Sequence, residues 1–323
     1  MAQGILILAE HLKGELADIT FEMLGAGRKL ADALQAPLQV ALIGTGVAPL
    51  AAKLGLADQV FVVDKPGLDV PPASTVAAIL KELAGKKQAG TVLIGWTNLA
   101  MGVGSMLSAR SGLPFVNFCR ALRAEGGAVT VTSQLFGGKI LSDVRLADGK
   151  GIISVASGAF PADEGRSDKT PPVETVDVAV EAPAIQFKRF IEPEAGDVDI
   201  TKQTVLVAVG RGIQTQDNIE LAEELAGALG GAVCGSRPVV DQGWLALSRQ
   251  VGKSGMSVKP RLYLALGISG APEHVEGMQN SQTIIAVNTD ANAPIFDVAQ
   301  YGVCGDVLEI LPVLTDKIKA RKG

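Results

Sequence analysis

Two short apolar runs near the end of the 323-residue chain constrain its fold more than any other feature. Leu262–Leu266 and Thr283–Val287 are continuous and bounded by turn residues, which is the pattern of strands buried on both faces of a parallel sheet. Gly267–Gly270 follows the first run and Asn288 follows the second. Because a parallel α/β sheet binds ligands beyond the carboxyl ends of its strands, both segments are predicted to face a ligand.

The composition favours parallel sheets covered by helices. Hydrophobic residues make up 47% of the chain but aromatic residues only 4%, so the core must consist of Val, Ile, Leu and Ala. The length suggests about two domains. Changes in local composition place an N-terminal α/β domain at residues 1–185, a polar linker at 186–203 and a second α/β domain at 204–323.

Strands and helices alternate in the first part of the N-terminal domain, which is typical of a parallel sheet. Strands are predicted at Gly4–Ala9, Leu38–Ile43, Val60–Val63 and Thr91–Ile94, and helices at 15–35, after a cap at Ser74, and from Leu99 to Ser111. After Gly112 the helices cease, and strands are predicted at Ala128–Thr132, Gly138–Ser142, Gly151–Val155 and Val173–Val180. These strands would be added to the first sheet.

A second alternating series begins after the linker. Its strands are predicted at Thr204–Val209, Ala232–Cys234, the two apolar runs described above and Tyr301–Cys304. Its helices are predicted at Asp217–Leu229 and Val307–Lys319.

Several classes of protein are disfavoured by the charge and the apolar pattern. The net charge of -5 argues against a nucleic-acid partner, because nucleic-acid binders show a basic face. No apolar run approaches the ~20 residues that span a bilayer, so the chain is not predicted to be embedded in a membrane. No signal or transit peptide is recognisable, and the predicted location is the cytoplasm of a prokaryote.

The three cysteines predict neither a metal site nor a dithiol site. Cys119, Cys234 and Cys304 are far apart in sequence and form no CxxC pair. We therefore expect small, buried apolar side chains in a reducing compartment.

Two glycine-rich segments resemble nucleotide-binding motifs but do not satisfy them. Gly252–Ser254 resembles the end of a P-loop, yet Leu247 stands where that motif needs glycine. Gly210–Gly212 resembles the start of a dinucleotide fingerprint, yet Thr215 stands at its third glycine position. Taken alone, both segments are turns between strands and helices.

The loops that follow the predicted strands of the second domain share one chemistry. They are rich in glycine, hydroxyl and amide groups and contain two arginines, and they converge on one edge of the sheet. Such groups suit the pyrophosphate, ribose and rings of a dinucleotide.

The same region resembles the signature of the electron transfer flavoprotein α subunit. The resemblance spans Leu262–Asn288 and continues through Ala293–Phe296 and Tyr301–Asp306. The N-terminal half matches more loosely, through Ile5–His11 and residues 137–161. The resemblance implies an N-terminal nucleotide-hydrolase-like parallel sheet with added strands. It also implies a C-terminal, Rossmann-like, doubly wound parallel sheet that binds FAD.

The resemblance assigns the FAD contacts to residues of the second domain. They are Arg211, Ser236, Arg237, Gln250, Val251, Gly252, Lys253, Ser254, Gly255, Gly267, Ser269, Gly270, Ala271, Pro272, Glu273, His274, Asn288, Asp306 and Val307. No catalytic or metal-binding residue is implied.

Four of these positions have specific implied roles or depart from the family. By resemblance, Arg237 is a cation over the isoalloxazine ring, because guanidinium groups stack on planar π systems. His274 is placed beside the pyrimidine edge of the flavin, and Ser254 would donate its hydroxyl toward N5. The family commonly has Gln and Thr where this chain has Lys253 and Ser254, which leaves the redox potentials open. His11 has no such support, and we expect a structural role for it.

The resemblance also implies a function and partners. An α subunit of this kind pairs with a β subunit, here through the N-terminal domain. It takes electrons from flavoprotein dehydrogenases, as in fatty acid oxidation, and passes them to a quinone reductase or another acceptor. It is a redox carrier without its own small-molecule substrate, so the chain is not expected to be an enzyme.

Two other classes stay open. One is the α subunit of an electron-bifurcating, NADH-linked complex, which the nucleotide site of the β subunit would reveal. The other is a nicotinamide-nucleotide-binding enzyme or regulator, which the absorption spectrum of the purified protein would distinguish from a flavoprotein.

Overall fold

The computed structural model describes residues 3–179, 185, 187–190 and 198–322. The chain forms two compact units, Met1–Arg189 and Phe190–Gly323. The predicted linker at 186–203 includes residues 186 and 191–197, which lie outside the described residues, and its end forms a short 3-10 helix at Ile200–Lys202. The predicted two-domain α/β class is confirmed.

The first unit contains a nine-stranded sheet. Its strands are β1 (Gly4–Ala9), β2 (Leu38–Gly44), β3 (Gln59–Asp64), β4 (Ala89–Trp96), β5 (Phe115–Glu125), β6 (Ala128–Leu135), β7 (Ile140–Leu146), β8 (Gly151–Ala156) and β9 (Val173–Thr175). Their spatial order is β9-β3-β2-β1-β4-β8-β5-β6-β7. The β5–β6 and β6–β7 pairs are antiparallel and the other pairs are parallel. A small hairpin pairs His11–Leu12 with Glu15–Leu16.

Three helices cover this sheet: α1 (Asp18–Leu34), α2 (Ala73–Lys86) and α3 (Val103–Ser111). Helix α1 packs on one face with alternate residues of the central strands, such as Ile5 and Ile7. Helices α2 and α3 pack on the other face with Leu6 and Leu8. Burial on both faces explains why these strands are continuous apolar runs.

Four predictions for the first unit need correction. Strand β5 was not predicted. The helix that Ser74 was expected to cap begins at Ala73 with Pro72 in the capping position, so Ser74 lies inside its first turn. The strand predicted at Gly138–Ser142 begins at Ile140, because Phe136–Gly138 forms a 3-10 turn.

Strand β9 is shorter than predicted. Its exposed Val173–Thr175 segment pairs with β3 at the edge of the sheet, whereas Val178 beyond it is buried without being part of the strand. Val180, the predicted end of the strand, lies outside the described residues.

The second unit contains a five-stranded sheet in which all neighbours are parallel. Its strands are β10 (Val205–Val209), β11 (Ala232–Gly235), β12 (Leu262–Leu266), β13 (Ile284–Asn288) and β14 (Tyr301–Cys304), in the order β11-β10-β12-β13-β14. Its helices are α4 (Ile219–Leu229), α5 (Arg237–Asp241), α6 (Pro272–Glu276) and α7 (Val307–Lys322). The chain moves to one side of β10 to form β11 and to the other side to form β12. The loops after β10 and β12 therefore leave the sheet at a switch in strand order, which is where such sheets bind ligands.

Alternate residues of β10 and β12 pack on opposite faces of this sheet. Val207, Val209, Leu264 and Leu266 share one cluster with buried residues of α4 and α7. The opposite face buries Leu206, Ala208, Tyr263 and Ala265 together with loop residues. On this face the side chain of Tyr263, which ends in a polar hydroxyl group, is completely buried.

Two further observations concern the chain as a whole. Among the residues that the structure describes, no helix is long and apolar enough to cross a membrane. Cys119 and Cys234 are buried as predicted, but Cys304 is exposed, because β14 is the edge strand of its sheet.

Candidate functional site: the cleft at the strand ends of the second sheet

A cleft of about 710 Å³ lies at the carboxyl ends of the strands in the second unit. Its volume falls within the range of roughly 300–1,000 Å³ that is usual for ligand sites. The lining residues come from the loops after β10, β11 and β12, from the last residue of β13, from the segment before β12, and from α5 and α6. They are Gly210, Arg211, Gly212, Ser236, Arg237, Pro238, Val251, Gly252, Lys253, Ser254, Gly267, Ile268, Ser269, Ala271, Glu273, His274 and Asn288.

The loops after β10 and β12 touch each other through glycine backbone. A Cβ atom on Gly212 would lie 2.5 Å from Cα of Gly267, and one on Gly210 would overlap the Gly267 carbonyl. Gly212 N–H donates to the Gly267 carbonyl at 3.1 Å, and Gly267 has a φ of +63°. A side chain at any of the three positions would push the loops apart. The incomplete dinucleotide fingerprint is therefore a contact between two loops.

A second glycine contact fixes the Gly252–Ser254 segment against α6. A Cβ atom on Gly277 would lie 2.5 Å from Cα of Gly252, and Gly252 itself has a φ of +137°. Lys253 N–H donates to the Glu273 carbonyl at 2.7 Å. The segment that resembles a P-loop is thus held by strand-like backbone bonds to its neighbours, and its geometry differs from the strand–loop–helix context of that motif.

Amide and hydroxyl side chains are oriented by hydrogen bonds at the cleft. Gln250 Nε2 donates to Ser254 Oγ at 3.0 Å. Asn288 Nδ2 donates to the Ile268 carbonyl at 2.9 Å, and its Oδ1 accepts from Asp290 N–H at 2.9 Å. These bonds fix the direction in which each group can meet a ligand.

The cleft carries three cationic side chains. Arg237 begins α5, is 68% exposed and pairs with Asp241, with Nε and Oδ2 3.3 Å apart. Lys253 Nζ lies 3.5 Å from Glu276 Oε2. Arg211 lies in the turn after β10 and is exposed. Because exposed ion pairs are weak, these cations can reorient toward an anionic ligand at little cost.

His274 is a buried titratable residue of the cleft wall and is 6% exposed. Its Nε2 lies 3.0 Å from the hydroxyl of the buried Tyr263. Burial lowers the pKa of His274 to about 4, while a hydrogen bond from the ring to the Val251 backbone acts in the opposite direction. Nδ1 has no partner within regular hydrogen-bond geometry among the described atoms, so its contact with the Val251 backbone is a weak one. At neutral pH this histidine is therefore uncharged in the protein alone.

The remaining predicted residues lie behind or beside the cleft. Gln250 and Gly255 lie behind its wall, and Gly270 packs on the backbone of Ile295. Pro272 is in the first turn of α6. Asp306 accepts from Leu308 N–H at 2.8 Å, and Val307 is buried at the start of α7.

The cleft also contains four residues that the resemblance did not assign as FAD contacts: Gly210, Gly212, Pro238 and Ile268. Each is adjacent to an assigned residue. The sequence signal for Gly210 and Gly212 is their position directly after a predicted strand, with one residue between them. Glycines at such a position allow the loop to contact a neighbouring loop through backbone atoms.

Comparison with known proteins identifies the family. A sequence model described as "Electron transfer flavoprotein domain" matches residues 5–181, and one described as "Electron transfer flavoprotein FAD-binding domain" matches residues 199–279. The chain is 37% identical to the electron transfer flavoprotein subunit alpha of Mycobacterium leprae over 98% of this chain and 99% of that protein. This chain belongs to the electron transfer flavoprotein α-subunit family.

Other relatives span both units as well. "Protein FixB" of Clostridium saccharobutylicum is 35% identical over 98% of this chain and 96% of that protein. "Lactate dehydrogenase (NAD(+),ferredoxin) subunit LctC" of Acetobacterium woodii is 34% identical over 98% of this chain and 77% of that protein. The predicted family and the predicted cofactor, FAD, are confirmed.

The residues of the cleft fit FAD. Glycine backbone leaves room for close approach, exposed cations can meet a pyrophosphate, and oriented amide and hydroxyl groups can meet ring and ribose atoms. Among the described residues there is no group of His, Cys, Asp and Glu side chains that could hold a metal ion.

Proposed function

We propose that this α subunit of an electron transfer flavoprotein holds its FAD in the cleft and pairs with a β subunit. In this proposal it carries electrons from flavoprotein dehydrogenases to a quinone reductase or another acceptor. The observation that supports the placement is the open cleft at the switch in strand order, inside a unit whose sequence matches the family's FAD-binding domain.

Bound FAD supplies a ring system that accepts and releases electrons, and the chain controls how readily it does so. Arg237 would place a permanent positive charge over the ring, because its side chain is exposed and is held only by an exposed ion pair. Ser254, oriented by Gln250, would direct a hydroxyl toward N5. His274 would place an uncharged imidazole near the pyrimidine edge.

The role of a redox carrier follows from the family and from the character of the cleft. Its polar residues are binding groups, and the one buried titratable side chain is a histidine that is uncharged at neutral pH. A carrier needs a fixed electrostatic environment for its cofactor, and it needs no general base. We therefore propose that the chain does not convert a small-molecule substrate of its own.

The first unit offers a surface for the β subunit. Phe136, Ile140 and Leu141 are exposed large hydrophobic residues around the turn between β6 and β7. Clustered exposed apolar side chains are typical of protein interfaces. This supports the prediction that the N-terminal unit contacts the partner.

Co-expression with the β subunit tests the proposed function. We expect the two chains to copurify with one FAD in the cleft, and we expect the flavin to be reduced by a flavoprotein dehydrogenase and reoxidised by a quinone reductase. A flavin that neither protein can reduce or reoxidise would contradict the carrier role.

A bifurcating complex is a second candidate, supported by the similarity, over 98% of this chain, to a protein whose name joins NAD⁺ and ferredoxin. A second flavin in the β subunit and NADH-dependent reduction would distinguish it. The family assignment leaves a nicotinamide-dependent enzyme or regulator without a supporting observation.

A further inference from the structure

A chain of three buried polar side chains runs beneath the wall of the cleft, and nothing in the proposed function accounts for it. We propose that Tyr263, backed by Cys234, is a positioning residue that donates its O–H to His274 Nε2 and thereby leaves the ring proton on Nδ1. This inference deepens the proposed function and rests on it for the meaning of His274 at the flavin.

The chain is built from three different elements of the second unit. Cys234 lies in β11, Tyr263 in β12 and His274 in α6. The Tyr263 hydroxyl lies 3.0 Å from His274 Nε2 and also hydrogen-bonds the Cys234 thiol. Cys234 and Tyr263 are fully buried, so water cannot replace either partner.

All three groups are uncharged at neutral pH. Burial raises the pKa of Cys234 to about 12 and raises the pKa of Tyr263 well above 10. It lowers the pKa of His274 to about 4. The thiol, the phenol and one imidazole nitrogen each carry one proton, so the hydrogen bonds can run in only two directions.

In one direction every polar hydrogen points toward an acceptor, and the contact of Nδ1–H with Val251 is the weakest of the three because it lies outside regular hydrogen-bond geometry. The Cys234 thiol donates to the Tyr263 oxygen, Tyr263 donates to His274 Nε2, and His274 Nδ1–H faces the Val251 carbonyl. In the reverse direction Nε2–H donates to Tyr263, and an unprotonated Nδ1 faces a carbonyl oxygen. Two acceptors, the unprotonated Nδ1 and the Val251 carbonyl oxygen, would then face each other in a buried environment, which is unfavourable.

The consequence for the cleft is a single N–H donor of defined position. Val251 lines the cleft, so Nδ1 lies on the side of the ring toward the ligand. Other charged groups around the same cleft are Lys253, Glu273, Arg211 and Arg237. His274 would therefore offer a flavin a neutral hydrogen-bond donor, and the positive charge would come from the arginines and Lys253.

His11 supplies an internal reference. It is the only other histidine of the chain. Its Nε2 lies 2.8 Å from the Ile43 carbonyl, which accepts a proton, so His11 is expected to carry its proton on Nε2. The two histidines should have opposite tautomers.

Nitrogen NMR of the full-length chain, labelled with ¹⁵N-histidine and combined with unlabelled β subunit, tests the inference. The two rings are assigned with a His11→Gln variant, and spectra are recorded with FAD bound and after FAD is removed. We expect His274 to show a protonated Nδ1 and a hydrogen-bonded, unprotonated Nε2 in both states. A protonated Nε2 in the flavin-free protein would overturn the inference.

Tyr263→Phe then tests the donor itself. It removes only the hydroxyl, and we expect the His274 Nε2 signal to move to the position of an acceptor nitrogen without a hydrogen bond, while His11 is unchanged. Tyr301→Phe is the matched control, because Tyr301 is the other tyrosine of the chain and is exposed. An unchanged Nε2 signal in Tyr263→Phe would also overturn the inference.

The same spectra separate the inference from the proposed function. If FAD leaves both His274 nitrogens unmoved while the tautomer is as expected, the positioning by Tyr263 holds and the placement of the flavin beside His274 fails. If Tyr263→Phe does not fold, the His274 tautomer measured in the unmodified protein still decides whether the inference holds.

Discussion

In both units the strand order switches at a central strand within a run of parallel strands, but the described residues leave a large open cleft at that edge in the second unit and a small cavity in the first. In the first unit, β1 lies between β2 and β4, and the corresponding cavity is only about 50 Å³. Glu10 and His11 directly follow β1 and fill the space. A Cβ atom on Gly95 would overlap the Glu10 carboxyl group, and one on Gly44 would lie 2.8 Å from the His11 ring.

In the second unit the residues after the central strand are Gly210, Arg211 and Gly212. Its glycines meet the backbone of Gly267, and no side chain enters the space between the two loops. Topology therefore decides where a site can form, and the residues that follow the strands decide whether it stays open.

The largest effect is expected when the glycine contact is removed. Gly267→Val places a β-branched residue at a φ of +63° and against Cα of Gly212. Strain and overlap should destabilise the second unit by about 3–5 kcal/mol and abolish FAD binding. Thermal unfolding and the flavin content of the purified protein measure both effects.

Gly227→Ala is the control for that variant. Gly227 lies inside α4, and a Cβ atom there would meet nothing within 4 Å. It should retain FAD and gain about 0.5–1 kcal/mol of stability. Equal flavin loading in Gly267→Val and Gly227→Ala would contradict the role of the loop contact.

A second difference between the two units is that a change in pH should affect their stability in opposite directions. Burial raises the pKa of Glu10 to about 7, and burial lowers the pKa of His274 to about 4. The folded first unit binds a proton at Glu10 more tightly than the unfolded chain, so its stability falls as pH rises from 4.5 toward 7. The folded second unit resists protonation of His274, so its stability falls as pH drops from 6.5 toward 4. Each effect is about 3 kcal/mol.

Trp96 and Trp244 report on the two units separately, since these are the only tryptophans. Glu10→Gln should remove the pH dependence of the transition that Trp96 reports and leave the one that Trp244 reports. His274→Gln should do the reverse. The exposed Glu309→Gln serves as a control. A Glu10→Gln protein that keeps the slope of the first unit would show that Glu10 is ionised in the fold.

The redox effect of the two histidines should also differ. His274→Ala removes one hydrogen bond to a flavin that becomes negatively charged on reduction, worth about 1.5–3 kcal/mol. For a one-electron couple this lowers the midpoint potential by roughly 60–130 mV. His11→Ala should leave the potential unchanged. Stepwise reductive titration of the FAD-loaded variants measures both, and equal potentials in the two variants would remove His274 from the redox role.

The smallest effect is expected at Lys253. Its ion pair joins an exposed Lys253 to a partly buried Glu276 at a long 3.5 Å, so Lys253→Gln should change stability by about 1 kcal/mol or less. The lost charge should lower the potential by at most roughly 45 mV, the equivalent of that energy. A larger change would mean that Lys253 turns inward over the ring when FAD is bound.

The strands of both sheets could be predicted from the sequence because burial on both faces leaves a clear signal. Gly4–Ala9 and Leu262–Leu266 have the predicted bounds. Strand β5 gives no such signal, because it is half exposed, mixes arginines with apolar residues and contains a bulge near Phe118, whose φ is +54°.

The site could be predicted only in part for a similar reason. Loops at strand ends are visible in a sequence, so most of the lining was assigned. The contact of Gly212 with Gly267 joins loops that are 55 positions apart in the chain, and Tyr263 looks like any core residue of a buried run. Only the folded chain shows that its hydroxyl meets His274.

A crystal structure of the FAD-loaded protein with its β subunit would show where FAD binds. We expect FAD between the loops of Gly210–Gly212, Val251–Ser254 and Gly267–His274, with Arg237 over the ring and His274 Nδ1 toward its pyrimidine edge. FAD bound outside this cleft, or at the edge that Glu10 and His11 fill in the first unit, would contradict this placement.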